Sequence, residues 1–320
     1  MEPNMFCYQC QETAKGTGCI LKGVCGKESH TAQAMDLLLF VVRGVSVVAD
    51  VLRKADCPVS EEVNIFVTDA LFCTITNANF DDESILKRVD KGITMRNGLI
   101  QEAKHNKVLL PKVDELTWQG TRDDYAGKAK TVGVLREQNE DLRSLKELLV
   151  YGLKGMAAYL EHVMRLGFND DTVHVFMQRA LATIAVESLS AEEWVKLVLE
   201  AGEFGVKTMA LLDAANTGTY GNPEITKVNI GVKNRPGILI SGHDLKDMEE
   251  LLQHPKIIGL FRARIDTLQQ QFAHYEQVKR FTLLPEPFSM ERGELTNTLK
   301  LKRSVVAKNY KELIDKMYEE

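Results

Sequence analysis

The chain has 320 residues, 44% of them hydrophobic and 27% charged, with a net charge of −5. That is an ordinary globular composition with material for two or three domains, and its acidic balance argues against broad attraction to nucleic acid or anionic membranes. The longest apolar run, Leu37 to Val42, is flanked by Asp36 and Arg43, far short of the roughly 18 residues of a membrane span. Met1-Glu2-Pro3-Asn4 shows neither the basic nor the apolar region of a signal peptide, so a cytoplasmic setting is expected, where thiols stay reduced.

In chain order, residues 5 to 29 are rich in Gly and Lys and lack a periodic apolar face. This backbone is expected to wrap around something other than a hydrophobic core. Residues 31 to 54 then place Met35, Leu38, Leu39, Val42, Val45 and Val48 at helical spacing. Ser60-Glu61-Glu62 and Asp81-Asp82-Glu83 supply N-caps and first-turn acids to two further helices. Leu142 to Leu160 and Val173 to Ile184 continue the series, and Ser190 with Glu193 makes a capping box before Trp194. Nearly everything from 31 to 216 reads as helix. Turn formers cluster from Thr217 to Pro223, and 227–231 and 237–242 read as short buried strands ahead of a helix at 244–253. The tail ends in basic Lys300-Leu301-Lys302-Arg303 and an amphipathic stretch from Val305 to Tyr318. The expected fold class is therefore mainly α. A cysteine segment (1–30) precedes a helical bundle domain (31–220), an incomplete α/β, Rossmann-like piece (221–254) and a distinct tail (255–320).

Cys7, Cys10, Cys19 and Cys25 follow the pattern Cys-x2-Cys-x8-Cys-x5-Cys. Thiolates are the soft ligands that zinc and iron–sulfur clusters both favour, and four complete either site. The wide gaps suit a larger object than one zinc ion, whose structural sites more often use two short-spaced pairs. Gly16, Gly18, Gly23 and Gly26 would let backbone amides come near the sulfurs. Cys57 and Cys73 each stand alone beside apolar segments and read as small buried residues.

The segment Met5-Phe6-Cys7-Tyr8-Gln9-Cys10-Gln11-Glu12-Thr13 resembles the opening of hybrid-cluster proteins (prismane proteins, hydroxylamine reductases), as does Val24-Cys25-Gly26-Lys27. Further blocks follow in the family's order: Thr74 to Asp81, Gly152 to Tyr159, Ala210 to Gly221 and Gly237 to Leu245. The resemblance spans about residues 1–253. It implies an oxidoreductase with a cubane [4Fe–4S] cluster on Cys7, Cys10, Cys19 and Cys25. An electron donor protein or reductase would serve as partner and a small nitrogen compound, hydroxylamine, as substrate, with no nucleic acid and no membrane involved. It also implies that His243, in Ser241-Gly242-His243-Asp244-Leu245, is one ligand of the family's second, hybrid iron–sulfur–oxygen cluster. The other hybrid-cluster ligands are later glutamates and cysteines that have no place here, since no cysteine follows Cys73. This chain is thus expected to bind the cubane and relay electrons without assembling the hybrid cluster. Phe281 to Ser289 with Gly293 to Arg303 is similar to the C-terminal end of long-chain acyl-CoA synthetases, which would make Lys300 the counterpart of a mobile lysine. The large nucleotide-binding domain of such ligases is missing, so an exposed basic strand-turn is expected there. A zinc-binding structural module and an acyl-CoA synthetase-like ligase fragment are the alternatives.

Overall fold

The computed structural model describes residues 5–76, 78–186, 188–225, 227, 245–270, 277–285, 288–296 and 300–318. The chain divides into two compact units, Met1–Ile225 and Thr226–Glu320.

The first unit is built around α1, Ser29–Lys54. Its residues Leu37, Leu38, Phe40, Val41, Val42 and Val45 are fully buried. A helix apolar on every side has to be enclosed by neighbours. They are α2 (Glu61–Cys73), α3 (Asp82–His105), α4 (Asp114–Thr117), α5 (Arg122–Val132) and α7 (Asp171–Val186), all packed on α1. Two longer helices, α6 (Glu140–Arg165) and α8 (Ala191–Tyr220), pack on each other, and α6 also covers α2. Each fully buried Leu, Val or Phe contributes about 1.5–3 kcal/mol relative to exposure, so α1 is the energetic centre of the unit.

The caps read from sequence are largely present. Asp81 accepts from the amides of Glu83 and Ser84 at 3.0 and 3.1 Å, and the Ser190–Glu193 capping box closes in both directions. Ser60 holds the extended N-cap conformation, but its hydroxyl makes no capping bond. The turn expected from Thr217 begins later: α8 runs on through Tyr220 and stops at Gly221, whose φ of 83° suits glycine alone among common residues. Gly218 stays helical.

In the second unit α9 (Leu245–Gln253) packs on α10 (Pro255–Leu268), and the tail carries α11 (Arg303–Asn309) and α12 (Lys311–Lys316). Buried Glu294 organises the preceding turns, accepting from the Ser289 amide at 3.0 Å and Arg292 Nε at 3.1 Å. The expected helix at 244–253 is present. The expected strand at 237–242, and all of 227–231 except Lys227, lie outside the described residues. Among the described residues there is no sheet, only isolated bridges at Cys7–Cys19 and Leu295–Leu301. The α/β, Rossmann-like expectation is therefore not supported. A strand with no sheet beside it leaves its backbone groups unpaired, and nothing described supplies that sheet. No described helix is long and apolar enough to cross a membrane.

One close approach fixes α4 against α1. A Cβ on Gly44 would lie 2.4 Å from the Glu115 carbonyl oxygen and 3.0 Å from Arg96 Cδ. Fully buried Arg96 donates to the carbonyls of Glu115 and Trp118, both at 2.8 Å. Gly44→Ala is thus expected to destabilise the fold by about 1–3 kcal/mol, against the gain of up to about 1 kcal/mol that helix propensity alone would give. Urea denaturation checks the sign, and a stabilised variant would show that α4 is not held in this contact.

Candidate metal centre

The cysteine segment is a loop with few apolar anchors of its own, held by hydrogen bonds to the helical unit. Cys7 and Cys19 face each other in an antiparallel bridge, their amides donating to each other's carbonyls at 3.1 and 2.8 Å. Cys10 starts a turn closed by the Thr13 amide at 3.2 Å, and Cys25 sits in the Gly23–Gly26 turn. Cys19 is buried, Cys7 and Cys10 are half-buried and Cys25 is exposed. Gly18, at φ 136°, leaves the space that Phe6 occupies, since a Cβ there would lie 2.7 Å from the ring. Gly23 likewise clears Cys25 Sγ, 3.1 Å from where a Cβ would stand. The amides that approach sulfur are not glycine's: the Ala14 N–H points at Cys19 Sγ across 3.5 Å.

The loop is fastened to the end of α2 and to α6. Gln9 Oε1 accepts from the Thr76 amide at 2.8 Å, and its Nε2 donates to the Thr74 carbonyl at 3.4 Å. The Thr74 carbonyl also accepts from Lys154 Nζ at 3.2 Å, and the Thr76 carbonyl from Lys27 Nζ at 2.6 Å. On the α6 side Tyr151 donates to the Gln9 carbonyl at 2.8 Å. The Tyr8 hydroxyl shares its hydrogen between the Glu147 carboxylate at 2.9 Å and the Glu147 carbonyl at 3.0 Å.

Burial and charge set the protonation of this region. The Cys19 thiol lies below the ordinary cysteine value: burial pushes it up, but the amides of Ala14 and Val24, the Thr13 hydroxyl and the charge of Lys27 outweigh that. Cys73 is the opposite case, buried and pushed up to about 11, an inert thiol as its apolar setting requires. Cys57 is half-buried beside the Ala55 carbonyl. Burial, and then Glu147, hold Tyr8 well above the usual phenol value, so it remains a donor. Burial lowers Lys154 to about 8, opposed by Glu147 and Asp36. Asp36 is raised to about 7 by burial first and by Glu147 next, against the pull of Lys154, Arg43 and Lys27.

The sequence reading placed the four cysteines on one loop, and the fold puts all four there. Among the described residues no three His, Cys, Asp or Glu side chains are gathered as ligands of a single metal ion. His243 lies outside the described residues. Lys300 is exposed. The clamp residues Tyr8, Gln9, Lys27, Glu147 and Lys154 were not singled out from sequence. The signal available for one of them is a lysine, Lys154, set among Leu153, Met156 and Ala157 on the buried face of α6.

The site and fold together define a helical protein that carries a cysteine-rich loop on its bundle. Residues 5–259 match the Prismane/CO dehydrogenase family, and the chain belongs to that family. It is 55% identical to the hydroxylamine reductase of Bacteroides thetaiotaomicron over 258 residues, covering 80% of this chain and 46% of that protein. It is 54% identical to the hydroxylamine reductase of Porphyromonas gingivalis over 261 residues (81% and 48%) and 49% identical to that of Clostridium botulinum over 283 residues (80% and 50%). The chain spans about half the length of these curated relatives. The family match ends at residue 259, so the likeness of the tail to acyl-CoA synthetases rests on its motif alone.

The raised Asp36 predicts a pH dependence of stability. An unfolded Asp titrates near about 3.9, whereas folded Asp36 holds its proton to about 7. Between those values the native state binds a proton that the unfolded chain has released, so this residue's contribution falls as pH rises. Asp36→Asn is expected to be more favourable relative to the parent near about pH 8 than near about pH 5, as read by urea denaturation. An effect independent of pH would show that Asp36 is not protonated in the fold.

Proposed function

We propose that Cys7, Cys10, Cys19 and Cys25 hold one [4Fe–4S] cluster, and that this chain is the electron-relaying part of an iron–sulfur oxidoreductase of the hydroxylamine reductase type. The observation that carries the reading is the set of four thiols on one clamped loop, with an amide aimed at Cys19 Sγ and that thiol's pKa depressed. In a cubane each thiolate ligates its own iron, so the sulfurs stand farther apart than around a lone ion. The Cys-x2-Cys-x8-Cys-x5-Cys spacing suits such an object better than one zinc ion, whose structural sites more often use two short-spaced pairs.

Bound there, such a cluster stores and passes single electrons. The protein's own part is to present four thiolates, to direct amide hydrogens at sulfur and to offset the added negative charge with Lys27 and Lys154. Protonated Tyr8 keeps its hydroxyl on Glu147 and so holds the loop in place without competing as an anion. Exposure runs from buried Cys19 to exposed Cys25, which gives an electron donor protein access at the Cys25 side and leaves the Cys19 side dry. The donor, and hydroxylamine as the small nitrogen substrate, are carried over from the names and chemistry of the full-length relatives. His243 is assigned as a remnant ligand of the second, hybrid cluster, which needs later thiolates and carboxylates that the matched segment does not supply. The four-part division at residues 30, 220 and 254 and a reducing, cytoplasmic setting complete the reading.

Iron, sulfide and zinc content of anaerobically purified protein tests the assignment. Near-stoichiometric iron and sulfide with broad brown absorption are expected, and a Cys10→Ser, Cys19→Ser double variant should lose both. Zinc in place of iron, or full iron in the double variant, would overturn the assignment.

Turnover of hydroxylamine with reduced dye is expected to stay at background, and His243→Ala to leave it unchanged. Robust turnover abolished by His243→Ala would mean that a second cluster assembles after all.

A further inference from the structure

A second polar feature of the first unit shares Glu147 with the clamp on the cysteine loop. A cavity of about 120 Å3 is walled by Arg43 of α1, by Gly133, Val134, Arg136 and Glu137 of the turn before α6, by Arg143, Lys146 and Glu147 of α6, and by Ile184 of α7. A lone water needs only about 10–15 Å3 of such space, so there is room for a larger polar guest.

The charges around it are unequally matched. Arg136 is paired with Glu115 at 2.8 Å and Lys146 with Glu137 at 2.6 Å. The Glu147 carboxylate accepts from Tyr8. Two guanidiniums remain without a carboxylate partner within hydrogen-bond distance. Arg143 spends one nitrogen on the Glu137 carbonyl at 3.0 Å. Arg43 is 8% exposed, and its Nε reaches the Leu39 carbonyl at 3.3 Å. Its two terminal nitrogens donate to no protein acceptor among the described residues. A buried guanidinium left short of acceptors is costly, and here burial first and neighbouring Arg136 next hold Arg43 below the usual arginine value. Planar forks aimed into a polar cavity match an oxyanion bidentately.

We propose that this cavity binds one small tetrahedral oxyanion of phosphate or sulfate size, held by Arg43 and Arg143 with Arg136 and Lys146 adding positive potential. Glu137 and Glu147 also line the space. Because each already accepts a donor of its own, they limit the site to one anion and do not close it.

Isothermal titration of the full chain with inorganic phosphate, at ionic strength held constant with chloride, tests this. One saturable site is expected, with sulfate competing for it. Arg43→Gln and Arg143→Gln should each weaken binding about tenfold or more, as loss of a charge-assisted hydrogen bond does. Lys87→Gln, on the exposed face of α3 and outside the cavity wall, should leave it unchanged. Should Arg43→Gln fail to fold by circular dichroism, Arg143→Gln decides alone, since that residue is only half-buried. No saturable uptake of either anion would mean that the cavity holds water only. Equal affinity in Arg143→Gln, or equal weakening in Lys87→Gln, would mean that the anion binds elsewhere. Each of these results overturns the proposal.

Discussion

Thr76 carries the arrangement of the cysteine loop. A β-branched residue at φ 33° is in a sparsely populated region, and such a conformation costs about 1–3 kcal/mol unless its surroundings over-determine it. Here the Thr76 amide is taken by Gln9 and its carbonyl by Lys27. Both side chains come from the cysteine loop, one from each end. The irregular end of α2 and the loop therefore hold each other: the loop has little hydrophobic core of its own, and the Thr76 backbone at the end of α2 is bonded by loop side chains. Weakening either frees both. This is why a segment with so few apolar residues can be ordered in a chain whose stability lies around α1, some distance along the sequence.

The charges beside the loop follow from the same constraint. Burying Lys27 and Lys154 is costly, and the two lysines share the carbonyls at the end of α2 with Gln9. The charge of Lys27 helps to depress the Cys19 thiol, after the amides of Ala14 and Val24 and the Thr13 hydroxyl, and Lys154 lies within electrostatic reach of Cys7. Asp36 and Glu147 temper this positive charge, and Asp36 shows the strain of that position in a pKa raised to about 7.

How much of this could be read in the sequence depended on the range of the interaction. Asp81 and the Ser190–Glu193 box were legible because a cap closes within three residues of chain. Helical spacing in 31–54 was legible because α1 is periodic as well as buried. Leu37 to Val42 advertised burial, but Asp36 and Arg43 looked only like the ends of an apolar run, whereas the fold turns both inward, one toward Lys154 and the other into a polar cavity. The Gln9–Thr76 and Tyr8–Glu147 contacts join residues 67 and 139 positions apart, and no local pattern announces such a pair. The turn formers from Thr217 misled for a physical reason. Threonine and glycine are weak helix formers, yet α8 has already paired its backbone by that point, and adding residues to an existing helix is easier than starting one.

The membership in the Prismane/CO dehydrogenase family and the half-length coverage of its hydroxylamine reductases bear on different parts of the chemistry. The cysteine loop is local: all four thiols lie between residues 7 and 25, and every clamp residue named here lies before residue 155. Whatever the loop binds can therefore be held by the first unit with its own contacts. A centre whose ligands are scattered along a much longer chain has no such independence, because one histidine contributes a single nitrogen while the remaining metal valences fall to solvent. The proposed binding and relay of electrons asks only for ligands of the local kind, whereas the proposed second cluster asks for ligands of the scattered kind, so the two proposals stand or fall independently.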